Sequence, residues 1–516
     1  MKKHILFVAL LLVSSMVLAG SKGNPTVWPD WSLATVGGIQ EKAYPALNYE
    51  TRIGVIGGRY PYDFSITTGP SGLTVDPRTG VVSWSVPITG SYSVSILIVD
   101  SSSKQISYDY VLNVTTNGFY FVSPSGLAAN NGSIGSPWPG ISHAVSNTNS
   151  SDVVYLRGGD YSANNISINS GSASMWLAYP SEAPRLNVAG TPITVTAQSG
   201  EFTLFSGLDV FNCGNRCFFL EQSRNVTFYK NRLRDLNSSC AGCNPSFLYF
   251  SGHNTSAARH DMIKVMNNTF SELSANSASE TDGAVVAFDV HNSLFEDNEL
   301  RAMGNYGFAD KDNTYRNTYR GNYIEGTHNG IGLKGQSGSN NIHVHHNLVS
   351  GAQGMPICEY GPCTDFYIHH NTIIDGNIVF RGGVSNSNSG NINFAYNVFT
   401  SVSSSAAFWS TDPVAFASVL TGTKLNANHN IIEADTSRIA GNYWGGARYI
   451  SQNEWTSSGH DTASLFTSPN LQGSGISTGL SPSSQYYGIY GHQLTEGGPS
   501  ALPSTPAGFT AIIKRD

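Results

Sequence analysis

The sequence predicts an all-β protein, a solenoid of stacked coils preceded by a small β-domain. Three observations predict it. An asparagine recurs at Asn231, Asn268, Asn298, Asn322, Asn347, Asn371, Asn397 and Asn430, with apolar residues at fixed offsets on both sides. Glycine accounts for 54 of 516 residues, while only 12% of the chain is charged, against an average near ~25%. Residues 25–115 alternate short apolar runs with turn signals. Low charge and high glycine exclude long-helix and coiled-coil classes. With 40% hydrophobic residues and 8 Trp, 25 Tyr and 24 Phe, the chain is not disordered. A net charge of −7 without a basic block excludes a nucleic-acid partner.

The chain opens Met1-Lys2-Lys3-His4, followed by an apolar run from Ile5 to Leu18 and the small-x-small site Val17-Leu18-Ala19. This pattern reads as a secretory signal peptide over 1–19. The run is too short to span a bilayer, and residue 21 is Ser, which gives no lipoprotein anchor. The expected product is a secreted monomer, extracellular or periplasmic, with no membrane attachment after cleavage. Six cysteines, Cys213, Cys217, Cys240, Cys243, Cys358 and Cys363, fall into three close pairs. In an exported chain these spacings favour local disulfides, with a zinc ribbon as the rival for the first four.

Within 25–115, the run Tyr92-Ser93-Val94-Ser95-Ile96-Leu97-Ile98 places Tyr92, Val94, Ile96 and Ile98 on one strand face. Trp84, after Thr79-Gly80-Val81-Val82-Ser83, is assigned to a core strand. With Gly69-Pro70-Ser71-Gly72-Leu73-Thr74-Val75-Asp76, the segment resembles the immunoglobulin-like (cadherin-like) modules of secreted bacterial proteins. That resemblance implies a β-sandwich acting as a spacer or a sugar-binding module, with the spacer favoured.

Residues 116–516 carry the repeat. Three residues before each asparagine stand Phe228, Val265, Phe295, Tyr319, Val344, Ile368, Phe394 and Ala427. Two residues after it stand Leu233, Phe270, Leu300, Ile324, Val349, Ile373, Phe399 and Ile432. Each unit is therefore expected to hold a strand with inward apolar residues, a tight turn at Asn, then another inward residue. Asn tolerates the left-handed turn conformation, and its amide can bond to the next rung. A period near 24 suits a coil of three short strands, stacked ~4.8 Å apart around an apolar axis. This pattern resembles a right-handed parallel β-helix. The start, Phe119-Tyr120-Phe121-Val122 through Asp152-Val153-Val154-Tyr155-Leu156-Arg157-Gly158-Gly159-Asp160-Tyr161, resembles the N-terminal coils of secreted β-helix polysaccharide lyases. The segments Leu465–Pro469 and Gly479–Pro482 resemble the coil that closes such helices. The stretch 400–425, rich in Ser and Ala around Phe408 and Trp409, breaks the spacing and reads as a loop insertion.

Between the asparagine markers a second strand carries polar residues. In register it places Asp289, Asp310–Asp312, Lys334, Glu359 and Arg381 on adjacent rungs. In so weakly charged a chain this column is assigned a functional role. Cleavage of a uronate polymer by β-elimination requires the C5 carboxylate to be neutralised and the C5 proton to be removed, which cations with one neutral base can do. Lys311, Lys334 and Arg381 are the catalytic candidates. Asp310, Asp312 and Glu359 are candidate ligands for Ca2+, a cation that takes several oxygens. The run Lys311-Asp312-Asn313-Thr314-Tyr315-Arg316-Asn317, with His328 and Lys334 beyond it, is similar to the motif of alginate lyases and chondroitinase B. That likeness implies Lys311 as base, with Lys334 where the family has an arginine. His328, Glu359, Tyr360 and Arg316 are the candidates for substrate contacts. The expected partner is an acidic polysaccharide. The alternatives are a glycoside hydrolase using carboxylates among Asp289, Asp310, Asp312 and Glu359, and a non-catalytic glycan-binding or adhesive protein.

A further column lies two residues before each asparagine: Tyr229, Met266, Glu296, Arg320, His345 and His369, with His343 and Tyr367 beside it. It is expected to be the solvated face of a sheet. Adjacent strand residues point to opposite faces, so one member each of His345-His346 and His369-His370 can join a shared site, and no zinc is assigned there.

Overall fold

The structure, a computed structural model, describes residues 25 and 27–491 except 199, 241, 253–259, 276–280, 336–337, 352–353, 403–405, 443–447, 473–479, 481–483 and 486–490. The proposed signal peptide and Gly479, Ser481 and Pro482 lie outside the described residues.

Three parallel faces run the length of a β-helix. The first begins at Phe119–Val122 and Val153–Leu156 and continues rung by rung to Leu425–Asn428. The other two form one continuous sheet, because strands such as Glu299–Lys311 and Tyr323–Leu333 bend from one face into the next. The register reproduces the expected columns. On the first face Phe228 pairs with Val265, then come Phe295, Tyr319, Val344, Ile368, Phe394 and Ala427. On the second, Leu233 leads through Phe270, Leu300, Ile324, Val349, Ile373 and Phe399 to Ile432. Both columns belong to the axial core.

The asparagines form a buried ladder. In every step from Asn231 to Asn397, the backbone N–H and the side-chain amide both donate to the Oδ1 of the next asparagine, at 2.9–3.2 Å. Asn430 passes the ladder to Asp461 (2.8 Å), a buried carboxylate that also accepts from Trp455 Nε1. The turn itself differs from expectation. The left-handed residue is the one before each asparagine, Lys230, Asn267, Asp297, His346, His370, Tyr396 and His429 at φ 53–57°, and Gly321 at 65°. The asparagine is selected for its amide, which satisfies donors and acceptors at a buried corner that water cannot reach.

Both ends of the solenoid are closed. Helix Ile141–Asn147 buries Ile141 and Ala144 at the start, where Trp138 stacks on Tyr120 at 4.7 Å. At the far end, helix Gln452–Ser457 begins with a Ser451/Glu454 capping box and inserts Trp455 against Phe408. Leu465 bridges Ile431, as the closing segment was expected to do. The insertion at 400–425 is more than a loop. It contains a rung strand, Phe408–Ser410, and a helix, Pro413–Thr421, whose N-terminal amides are capped by Asp412. The cysteines pair locally as Cys213–Cys217, Cys240–Cys243 and Cys358–Cys363, which removes the zinc-ribbon reading.

Ahead of the solenoid stands a two-sheet sandwich. Strands Lys42–Ala43, Gln105–Val114, Gly90–Asp100 and Tyr62–Thr68 form one sheet, and Tyr49–Arg52, Val81–Trp84 and Thr74–Val75 the other. Val94, Ile96, Ile98 and Trp84 are buried between them, and Tyr92 packs edge-on against Trp84.

This module does not stand apart from the solenoid. It lies on the first face of the solenoid and buries the column that was expected to be solvated: Tyr229, Met266, Glu296, Arg320, His345 and His369 are all buried. Arg52 of the module reaches Glu296 (3.1 Å), Asp297 (2.8 Å) and Asn267, while Arg320 bonds Glu296 at 2.6 Å and the Tyr62 hydroxyl at 3.3 Å. Two buried cations thus meet the buried Glu296 and the half-buried Asp297. Such a set is tolerated only when every charge is matched. Glu50 adds a pair with Lys230, and its carboxylate accepts from Tyr229.

Lys264 is the exception. Its ammonium is buried beneath the module, donating to the Gly38 carbonyl and lying near the Phe202 ring. Burial lowers its pKa to about 7. The unfolded chain therefore binds one more proton than the native state between that pH and the ordinary lysine range, so stability rises with pH across this window. Below it the cost is on the order of 4 kcal/mol. Lys264→Met is expected to raise the unfolding midpoint at pH 7 and to flatten the rise between pH 7 and 10. Denaturant titrations at both pH values check this, and an unchanged pH dependence contradicts it.

Candidate functional site

The charged column forms on the third face. Phe288 pairs with Lys311, Asp310 with Leu333, Leu333 with Ile357 and Ile357 with Phe380. One residue beyond the inward column of Asp310, Leu333, Ile357 and Phe380, the rungs therefore carry Lys311, Lys334, Cys358 and Arg381. The three catalytic candidates share one row, with Arg381 two rungs from Lys334.

Lys334 is the centre of the row and is buried. Its Nζ lies 2.8 Å from Glu359 Oε2, 3.1 Å from Thr281 Oγ1 and 3.3 Å from the Tyr306 hydroxyl. Tyr306 in turn donates to Glu359 at 3.3 Å. The Tyr306 ring can lie flat here because the neighbouring rung has Gly332, where a Cβ would stand 2.4 Å from a ring carbon. Burial first, then the Glu359 carboxylate, push the Tyr306 hydroxyl well above the ordinary tyrosine range, and Arg381 opposes them. It therefore stays protonated at neutral pH. Glu359 and the exposed Tyr360 stand on the loop between Cys358 and Cys363, which the disulfide closes. The Tyr360 ring is 5.5 Å from Lys334 Nζ. Lys311, one rung away, lies over the Phe288 ring at 4.6 Å, and Arg381 Nη1 is 3.4 Å from Thr411 Oγ1. Beside them Tyr249, Val286, Phe288, Tyr306 and Ala309 form an apolar patch outside the axial core.

Other candidates fall elsewhere. Asp310 points inward: it is fully buried, accepts from Tyr319 (2.8 Å) and Asn317 (3.4 Å), and is pushed up to about 6 by burial, against those hydrogen bonds. Asp312 occupies a left-handed corner (φ 54°), and Glu359 is committed to Lys334. Among the described residues these three carboxylates do not come together as a calcium cage. Asp310 faces the core while Glu359 lies with Lys334 on the outer side, and the left-handed corner takes Asp312 out of the strand alternation that would otherwise set it on the face of Asp310. Asp289 is turned to His291 (3.0 Å) and Asn313 (3.2 Å) at the end of the row. His328 is exposed on the same strand as Leu333, but six residues from Lys334, or ~20 Å along an extended chain. Arg316 lies over Trp31 of the N-terminal segment, on the other side of the solenoid. The structure thus groups Lys311, Lys334, Glu359, Tyr360 and Arg381, and separates His328, Arg316 and Asp310 from them. Tyr306 and Thr281 were missed. The signal for Tyr306 was Gly332, in the following rung, a gap in the outward column that an aromatic ring fills.

Residues 193–373 match the family model described as "Right handed beta helix region", and residues 32–115 match "Putative Ig domain". No curated protein matches the sequence. Among solved structures, a rhamnogalacturonan lyase is 14% identical with a TM-score of 0.36, over 68% of this chain and 87% of its own. A family 28 exopolygalacturonase of Yersinia enterocolitica is 8% identical with a TM-score of 0.37, over 78% and 90%. The A-module of a mannuronan C-5 epimerase of Azotobacter vinelandii is 11% identical with a TM-score of 0.26, over 64% and 91%.

Proposed function

We propose that this parallel β-helix protein is a secreted polysaccharide lyase that cleaves a uronate-containing polymer by β-elimination. The observation that carries the reading is the single row of Lys311, Lys334 and Arg381 on one outer face, with a tyrosine hydroxyl among them. Lys334 and Arg381 neutralise the uronate carboxylate, which acidifies the C5–H bond beside it. Lys311, in its neutral form, takes the C5 proton. The electron pair moves to form C4=C5 as the C4–O bond breaks, and the Tyr306 hydroxyl supplies a proton to the leaving oxygen. Glu359 holds Lys334 in place. A hydrolase needs two carboxyl groups facing the substrate, and here Asp310 is turned into the wall while Glu359 is tied to a lysine.

The test is incubation of the protein with a panel of acidic polysaccharides, following ultraviolet absorbance of unsaturated ends together with new reducing ends. Rising absorbance is expected. Reducing ends without absorbance identify a hydrolase, and binding without new ends a glycan-binding protein. Either result overturns the lyase reading.

A further inference from the structure

Beneath the N-terminal segment, on the face opposite the candidate active site, three imidazoles meet. His343 and His345 lie two residues apart on one strand and so share a face, and His369 pairs with His345 across the next rung. All three are buried, and one ring nitrogen from each lies within 4.8 Å of the others. Nε2 of His343 and Nε2 of His369 are 2.6 Å apart. Two of the remaining nitrogens are tied down: Nδ1 of His345 meets Nδ1 of His346 at 2.8 Å, and Nδ1 of His369 meets Nδ1 of His370 at 2.7 Å. These contacts exist because His346 and His370 are left-handed corners, which break the strand alternation and bring both members of each pair to one side. Nε2 of His345 is buried with no hydrogen-bond partner among the described residues. Trp28 covers the group, its ring centroid 4.5 Å from that of His369, 5.6 Å from His343 and 5.9 Å from His345.

We infer that His343, His345 and His369 form a binding site for an imidazole-preferring divalent transition metal ion of the zinc type, set between the N-terminal segment and the solenoid. A buried, unpaired imidazole nitrogen is costly unless something accepts its lone pair. A metal does so, and the Nδ1 contacts to His346 and His370 supply the outer hydrogen bonds that orient ligating imidazoles. Three nitrogens with no carboxylate in the group suit Zn2+, Co2+ or Cu2+ and do not suit Ca2+, which takes oxygen. Zn–N bonds of ~2.0 Å place ligand nitrogens ~3.3 Å apart, so His343 and His369 separate by about 0.7 Å on binding. Side-chain rotation covers that distance. The neighbouring cation does not oppose the ion, because Arg320 is matched by Glu296.

The experiment uses the exported chain without a histidine tag, stripped with chelator and titrated separately with Zn2+, Co2+ and Ca2+. One equivalent of Zn2+ per chain is expected, with Co2+ giving visible d–d bands that Zn2+ abolishes, and no stoichiometric Ca2+ binding. H345Q and H369Q are expected to lose that equivalent, whereas H143Q, remote from the group, keeps it. Because buried substitutions can impair folding, zinc-edge X-ray absorption of the unmutated protein is the second measurement, expected to show about three imidazole nitrogens near ~2.0 Å. Absence of stoichiometric Zn2+ or Co2+ binding, unchanged affinity in both variants, or an oxygen-only zinc shell overturns the site.

Discussion

Lys334→Ala is expected to lower kcat on the cleaved uronate polymer by about 10²–10⁴-fold, the range for removing a group that acts in the transition state. The negative charge that grows on the uronate during C5 deprotonation faces this ammonium. Its removal also leaves Glu359 without its partner at 2.8 Å and lets the Tyr306 hydroxyl turn entirely to that carboxylate. Both changes place negative charge where the substrate carboxylate must bind. KM is expected to rise as well, because the ground-state carboxylate loses the same cation. Lys311→Ala is expected to lower kcat with less change in KM, since a base acts on the proton and not on binding. Circular dichroism of both variants should keep the β signature of the unmutated protein, and the unfolding midpoint should stay close to it for Lys311→Ala but fall for Lys334→Ala, which strips a buried pair of its cation. Full activity in both variants excludes this row as the catalytic site.

Asn347→Ala is expected to destabilise the solenoid by about 4 kcal/mol, from buried groups that each cost ~1–3 kcal/mol when left unpaired. Asn347 stands in the middle of the ladder and is completely buried. Its Oδ1 accepts from the backbone and the side chain of Asn322, and its amide donates to the carbonyls of Tyr319 and His345 and to Asn371. Alanine leaves the Asn322 N–H and the Tyr319 carbonyl without partners at a corner closed to water. Asn347→Asp is expected to be no better, because a carboxylate accepts but cannot donate to the next rung. Denaturant unfolding, followed by far-ultraviolet circular dichroism, measures the effect. A loss below 1 kcal/mol for Asn347→Ala would show that the ladder is replaceable by packing.

The ladder also marks how far the sequence could be read. A residue needed at one position of every coil leaves a period, and the columns three before and two after Asn231 to Asn430 pair in the structure as that period requires. The row of Lys311, Lys334 and Arg381 was legible for the same reason: register along a solenoid is local arithmetic. His328 and Arg316 were not legible. Closeness in sequence to Lys311 suggested closeness in space, yet a strand carries His328 along the wall and a corner carries Arg316 to another face.

What the sequence determined by itself was therefore everything set by period: the all-β class, the coil, the inward columns and the charged row. What only the tertiary structure decided was which outer face is covered. Glu296, Arg320, His345 and His369 occupy outward positions that pattern alone assigns to water. They are buried because Arg52, Tyr60, Tyr62 and Trp28 of the N-terminal module come down on them. Contacts between residues about 245 positions apart, such as Arg52 with Asp297, follow no repeat. They depend on the docking of two surfaces, where charge matching and desolvation decide the outcome, and a chain's periodicity carries no record of that.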